Sequence, residues 1–163
     1  MAKVRKHRAL TAALIVLTVL QLAFIFGQSL LDAPSSSGES GSVLDFVKPF
    51  FELFVGKGNV TETLVRKCAH ITEFAVLGAL SASLSFVIGK RRPLHFVFVL
   101  LCTLAAAVTD ESIQLLSPGR SGEIRDVLID VSGAVSGIVL TLAVIFIIIR
   151  IKGRGRHEKQ SDS

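Results

Sequence analysis

Hydrophobic residues along this chain come in long runs, with neither the 3.6-residue rhythm of an amphipathic helix nor the alternation of a half-buried strand. Four runs stand out: Ala9–Phe26, Ala69–Ile88, Leu94–Leu116 and Val127–Ile149. At about 1.5 Å per residue each is long enough, or nearly so, to cross a hydrocarbon core of roughly 30 Å. Strands of that length would leave unpaired edges in lipid, whereas a helix satisfies its own backbone. The pattern predicts an all-α, polytopic membrane protein with four transmembrane helices over residues 9–27, 69–89, 94–116 and 127–149. The first run follows Lys3, Arg5, Lys6, His7 and Arg8, the order of a signal peptide. It is long, however, and no Ala-x-Ala-like cleavage site follows, so it reads as a retained anchor.

Composition agrees. The 163 residues are half apolar, and the mean hydropathy is +0.62, which fits one membrane domain over 1–163. Charge then orients the bundle. With the N-terminus inside, the inner side holds Lys3, Arg5, Lys6, Arg8, Lys90, Arg91, Arg92, Arg150, Lys152, Arg154, Arg156 and Lys159, twelve of eighteen basic residues. Eleven of the thirteen acidic residues fall in outer loops or near the outer helix ends. The positive-inside rule makes both termini cytoplasmic. The net charge of +5 is thus a topology signal, and no basic soluble face is left to bind nucleic acid. Cys68 and Cys102 sit about half a membrane apart, too far for a disulfide or a paired metal site, and read as packing residues.

Gln28 to Lys67 is the one long non-spanning segment. Its first part, from Asp32 to Gly41, is rich in Ser, Gly and Pro and reads as loop. Val43–Val55 follows, with Leu44, Val47, Phe51 and Phe54 on one helical stripe and four of eleven Phe within nine positions. Short, amphipathic and aromatic, it suits the membrane interface or a lid over the helix ends, kinked or divided at Pro49. Turns are expected at Gly89–Pro93 and Ser117–Gly122. Gly133 and Gly137, with Ser132, Ala134 and Ser136, give the last span a small-residue face that favours close packing within the molecule over a dimer contact.

The ionisable residues inside the spans carry the chemistry, because charge in lipid is expensive and persists where it faces the bundle interior or a wet cavity. Glu73 lies sixteen residues from Gly89 and Asp110 sixteen from Leu94, so both stand about 24 Å above the cytoplasmic edge. Asp130 is roughly 30 Å above Arg150, with Asp126 one turn further out. Three helices therefore deliver acids to one outer zone. His70 and Glu73, three apart, share a face, where a carboxylate can orient the imidazole or both can ligate a divalent ion. Asp110, Glu111 and Gln114 make a carboxylate and amide stripe, and Asp126 and Asp130 repeat the four-residue spacing. Arg120 and Arg125 suit a phosphate. Structural ion pairs with Lys67 or Arg120 account for two charges, but not for five acids and a histidine at one depth. His70, Glu73, Asp110, Glu111 and Asp126 are the catalytic candidates, and Lys67, Gln114, Arg120 and Asp130 the substrate contacts. Glu73, Asp110, Glu111 and Asp126 can serve as oxygen ligands to a divalent cation, though the spacing names no particular metal.

Three blocks resemble the VanZ-like family, named after a teicoplanin-resistance determinant. RKCAHITEFAVLG is similar to its Lys-x-x-His-x-x-Glu-Tyr pattern through Lys67, His70 and Glu73, with Phe74 at the tyrosine. TDESIQLLSPGRSGEIRD resembles its Asp-Glu-x-x-Gln block with Pro-Gly-Arg, through Asp110, Glu111, Gln114, Pro118, Gly119, Arg120 and Asp126. Asp130 departs from a common Asn ahead of Gly133. The resemblance implies a compact four-helix membrane domain linked to lipid headgroups or lipid-linked cell-wall precursors.

The expectation is a protein of the bacterial cytoplasmic membrane, its polar site facing outward, that hydrolyses or transfers a phosphate-linked headgroup of a lipid or lipid-linked precursor. The rival is a non-catalytic resistance protein that binds a lipid or a glycopeptide antibiotic. A proton-coupled carrier fits poorly, since it needs polar groups at mid-membrane with access from both sides.

Overall fold

The computed structural model describes residues 2–30, 48–49, 52–53, 56, 60–90, 92–116 and 123–161. Among the described residues it has four long helices: α1 (Ala2–Ser29), α2 (Glu62–Val87), α3 (Pro93–Gln114) and α4 (Ile124–Ser161). No strand occurs among the described residues. Each helix holds a stretch long and apolar enough to cross a membrane: His7–Ser29, Thr63–Val87, Pro93–Gln114 and Ile124–Lys152. The chain is a multi-pass membrane protein. The expected lid over Val43–Val55 lies outside the described residues except for Lys48, Pro49, Glu52 and Leu53, which are helical. The Ser117–Gly122 turn, Arg120 included, also lies outside them.

Helix ends follow caps rather than hydropathy. α2 begins about two turns before Ala69 because Thr61, in an extended conformation, accepts the Leu64 N–H on its Oγ1 at 3.2 Å. It ends where Gly89 takes φ +81, a left-handed value that suits glycine, while the Lys90 N–H returns to the Ser85 carbonyl at 2.9 Å. α3 opens with Pro93 in its first turn, where a missing N–H does no harm. α1 continues past its apolar run to Ser29.

Helices in lipid gain little hydrophobic drive from meeting one another, so contact depends on close approach and on polar pairs. α2 and α4 supply the close approach. Gly133 abuts the main chain of Ile71, Gly137 that of Ala75, and Gly78 that of Ala134, so a methyl group at any of the three would run into the facing backbone. The small-residue face is used within the molecule. Gly133 against Ile71 and Gly137 against Ala75 ascend together, so α2 and α4 run in the same direction. Beside this pair, Ile25, Phe74, Leu77, Ala106, Ala107 and Ala134 form one buried cluster, and Ala82, Val99 and Ile138 form another nearer the Gly89 turn. Leu20, Phe98, Leu140 and Ile151 are among the many large apolar side chains on the outside, as a lipid-facing surface requires. Cys102 is exposed, so only the half-buried Cys68 fits the packing role expected of both.

Candidate functional site

The first turns of α2 and α4 and the last turns of α1 and α3 meet at one end of the bundle, and the polar side chains of the spans collect there. α2 supplies His70 and Glu73 from one face. α4 supplies Asp130, one turn before the Gly133 contact that brings it against α2. α3 supplies Asp110, Glu111 and Gln114.

His70 lies among three carboxylates. Its Nδ1 is 3.8 Å from Asp110 Oδ2, 3.9 Å from Asp130 Oδ1 and 4.0 Å from Glu73 Oε2. All three distances lie beyond hydrogen-bond reach, so in this geometry Glu73 flanks the imidazole without bonding to it. Asp110 and Asp130 are 0% and 1% exposed, whereas His70 and Glu73 keep a small solvent-exposed fraction. The two aspartates form the floor of the cluster and the α2 pair its more open side.

Several neighbours hold the acids in place. Ser29 Oγ donates to Asp110 Oδ1 at 2.5 Å. Gln114 Nε2 donates to Asp110 Oδ2 at 3.0 Å and to Glu111 Oε1 at 3.1 Å, while the Glu123 N–H reaches Glu111 Oε2 at 3.1 Å. Glu111 thereby ties the end of α3 to the start of α4. Lys67 Nζ pairs with Asp126 Oδ1 at 2.8 Å, half-exposed, beside the central group. Phe74, at the tyrosine position of the family pattern, is fully buried in the apolar cluster with Ile25 and Ala107.

Of the residues singled out in the sequence, His70, Glu73, Asp110 and Asp130 converge. Glu111 and Gln114 brace Asp110 or the loop, and Asp126 faces Lys67. The His, Cys, Asp and Glu ligand atoms within 4.8 Å of one another, among the described residues, are those of His70, Asp110 and Asp130. Two contributions were not foreseen, both from α1: Ser29, and Gln21, whose Nε2 donates to the Glu73 main-chain oxygen at 3.1 Å. A signal existed. Gln21, Ile25 and Ser29 are spaced by four, one stripe with polar residues at two points in the outer half of a largely apolar span.

Neither curated proteins nor solved structures yield a match to the chain. The VanZ/LLP1 family profile matches residues 9–148, nearly the whole four-helix body. With four spanning helices and this match across them, the chain belongs to the VanZ/LLP1 family, the membrane proteins associated with glycopeptide resistance.

Proposed function

We propose that this protein is an enzyme of the bacterial cytoplasmic membrane that hydrolyses or transfers a phosphate-linked headgroup of a lipid, or of a lipid-linked cell-wall precursor, at the outer leaflet. The observation that carries the reading is the meeting of His70 with Glu73, Asp110 and Asp130 from three helices at one end of the bundle. Charges this far inside apolar helices are expensive to keep, and a structural ion pair needs only two of them. The excess of basic residues at the opposite end supports cytoplasmic termini and an outward site.

In this reading His70 is the general base. It takes a proton from water, or from an acceptor hydroxyl, as that oxygen attacks phosphorus, and the imidazolium returns a proton to the leaving oxygen as the P–O bond breaks. Glu73 stabilises the imidazolium. Asp110, held by Ser29 and Gln114, is the second acid/base group, with Glu111 behind it. Lys67 and Arg120 meet the phosphate oxygens, and Asp126 holds Lys67 until a phosphate competes for it.

The test incubates the purified protein in bilayer discs with total bacterial lipids and lipid-linked precursors, following products by mass spectrometry. Release of a headgroup or phosphate, abolished in His70→Ala and Glu73→Gln while lipid binding persists, is the expected result. Tight, saturable lipid or glycopeptide binding with no turnover would overturn the enzyme in favour of a binder.

A further inference from the structure

We infer that His70, Asp110 and Asp130, with Glu73 beside them, form a site for one divalent cation of the Zn2+ or Mn2+ class. The inference rests on the pocket of the proposed function and revises one role there. An imidazole whose Nδ1 holds a cation cannot also be the base, so the cation would activate the attacking water in its place. Ion binding itself is read without turnover.

The first support is the spacing. Imidazole Nδ1 and the two aspartate oxygens are 3.8 and 3.9 Å apart, and the ligand atoms all lie within 4.8 Å of one another. Groups that shared a proton would stand at about 2.5–2.9 Å. Atoms spaced as these are leave room between them for an ion about 2.0–2.5 Å from each. Glu73 Oε2, at 4.0 Å from the same nitrogen, lies outside that set of three and faces it from the more open side.

The second support is independent of the spacing. Asp130 is 1% exposed, yet its Oδ2 has no hydrogen-bond partner among the described residues, and the buried Glu73 Oε2 has none either. A buried carboxylate oxygen without a partner carries an uncompensated desolvation penalty. Gathering three carboxylates around one imidazole in a low-dielectric bundle compounds it, because like charges repel more strongly there. A dication between them supplies countercharge to the Asp130 carboxylate, which faces the site through Oδ1 and whose other oxygen is unpartnered. Ser29 and Gln114, donating to Asp110, are then outer groups that aim a ligand, a common device in metal sites. One imidazole with carboxylates and no thiolate selects Zn2+ or Mn2+ over softer ions.

The test uses the full chain in bilayer discs, stripped with EDTA and titrated with MnCl2 or ZnCl2, with MgCl2 and CaCl2 as comparison ions. Bound metal is counted by elemental mass spectrometry. One Mn2+ or Zn2+ per chain is expected. His70→Gln and Asp130→Asn should each weaken binding by more than the roughly 100-fold that outer-shell changes reach, and the Cys68→Ser/Cys102→Ser double variant should retain it. In the Mn2+ form, electron spin-echo spectra should show a nitrogen coupling that His70→Gln removes. The wild-type stoichiometry and this coupling decide the matter even where a variant does not fold. Less than one ion per chain at up to about 1 mM free metal, binding unchanged in both ligand variants, or binding lost with the cysteines would overturn the site. One bound ion without lipid turnover leaves the site standing and overturns the enzyme. Undiminished turnover in metal-free protein, together with no ion bound at about 1 mM free metal, overturns the site and leaves the enzyme standing.

Discussion

The same three helices, α2, α3 and α4, build both ends of the bundle, and the ends differ in kind. Near the Gly89 turn, Ala82, Val99 and Ile138 pack with Phe96, Leu100 and Leu142 beside an apolar groove that also takes in Pro93 and Val135. At the other end the helices bury Asp110 and Asp130 beside His70, and α1 adds Ser29. In lipid an aliphatic contact replaces one hydrocarbon neighbour with another, so the first end gains mainly from packing. The second end holds groups that lipid penalises, and it holds them with residues from four helices. Ionisable groups are concentrated where the fold is least comfortable, and the proposed function draws on that contrast.

Paired changes on α3 test that contrast most sharply. Asp110→Asn should lower lipid turnover by about 10²–10⁴-fold. Thr103→Val, nearer the other end, removes a hydroxyl whose bond is to its own helix at Leu100 and should leave turnover unchanged. Equal losses in the two variants would erase the distinction between the ends.

Next in size is the α2–α4 contact that both ends share. Gly137→Val drives side-chain atoms into the Ala75 backbone and should lower unfolding free energy in bilayers by about 2–3 kcal/mol or prevent folding. A variant as stable as wild type would show that the helices can separate without penalty.

Ser29→Ala should destabilise by about 1.5–3 kcal/mol, the range for a hydrogen bond to a charged group. It should also lower turnover more than stability predicts, since Asp110 loses an orienting donor. Lys67→Met breaks a partly exposed pair with Asp126, and a double-mutant cycle should return no more than about 1 kcal/mol. Smallest of all, Ile138→Val should cost about 0.5–1 kcal/mol, toward the low end for deleting one buried methylene, with turnover intact.

Much of this was legible in the residues. Long apolar runs mark the spans because the bilayer sets their length. Counting from the Gly89–Pro93 turn placed Glu73 and Asp110 at one depth because helix rise is constant. The Gly133 and Gly137 spacing announced a close contact because only small side chains let backbones approach. Less legible was the division of labour among the acids. Asp126 and Asp130 are one turn apart on α4, and spacing alone gives no reason for one to meet Lys67 and the other His70. That outcome depends on how α4 is rotated against α2, which the glycine contacts set. Ser29 escaped for a related reason: a hydropathy average ends α1 at its last apolar residue, whereas the helix continues and turns its Gln21, Ile25 and Ser29 stripe inward.

By itself, then, the sequence determined what each helix must do: its length, its depth in the bilayer and which residues sit near the same surface, all properties of one helix in one solvent. The tertiary structure decided which of those residues touch. Rotation about the helix axis and the choice of neighbour are set by packing between elements, where Gly133 and Gly137 against α2 bring Asp130 to His70 and Ser29 fixes Asp110 from across the bundle.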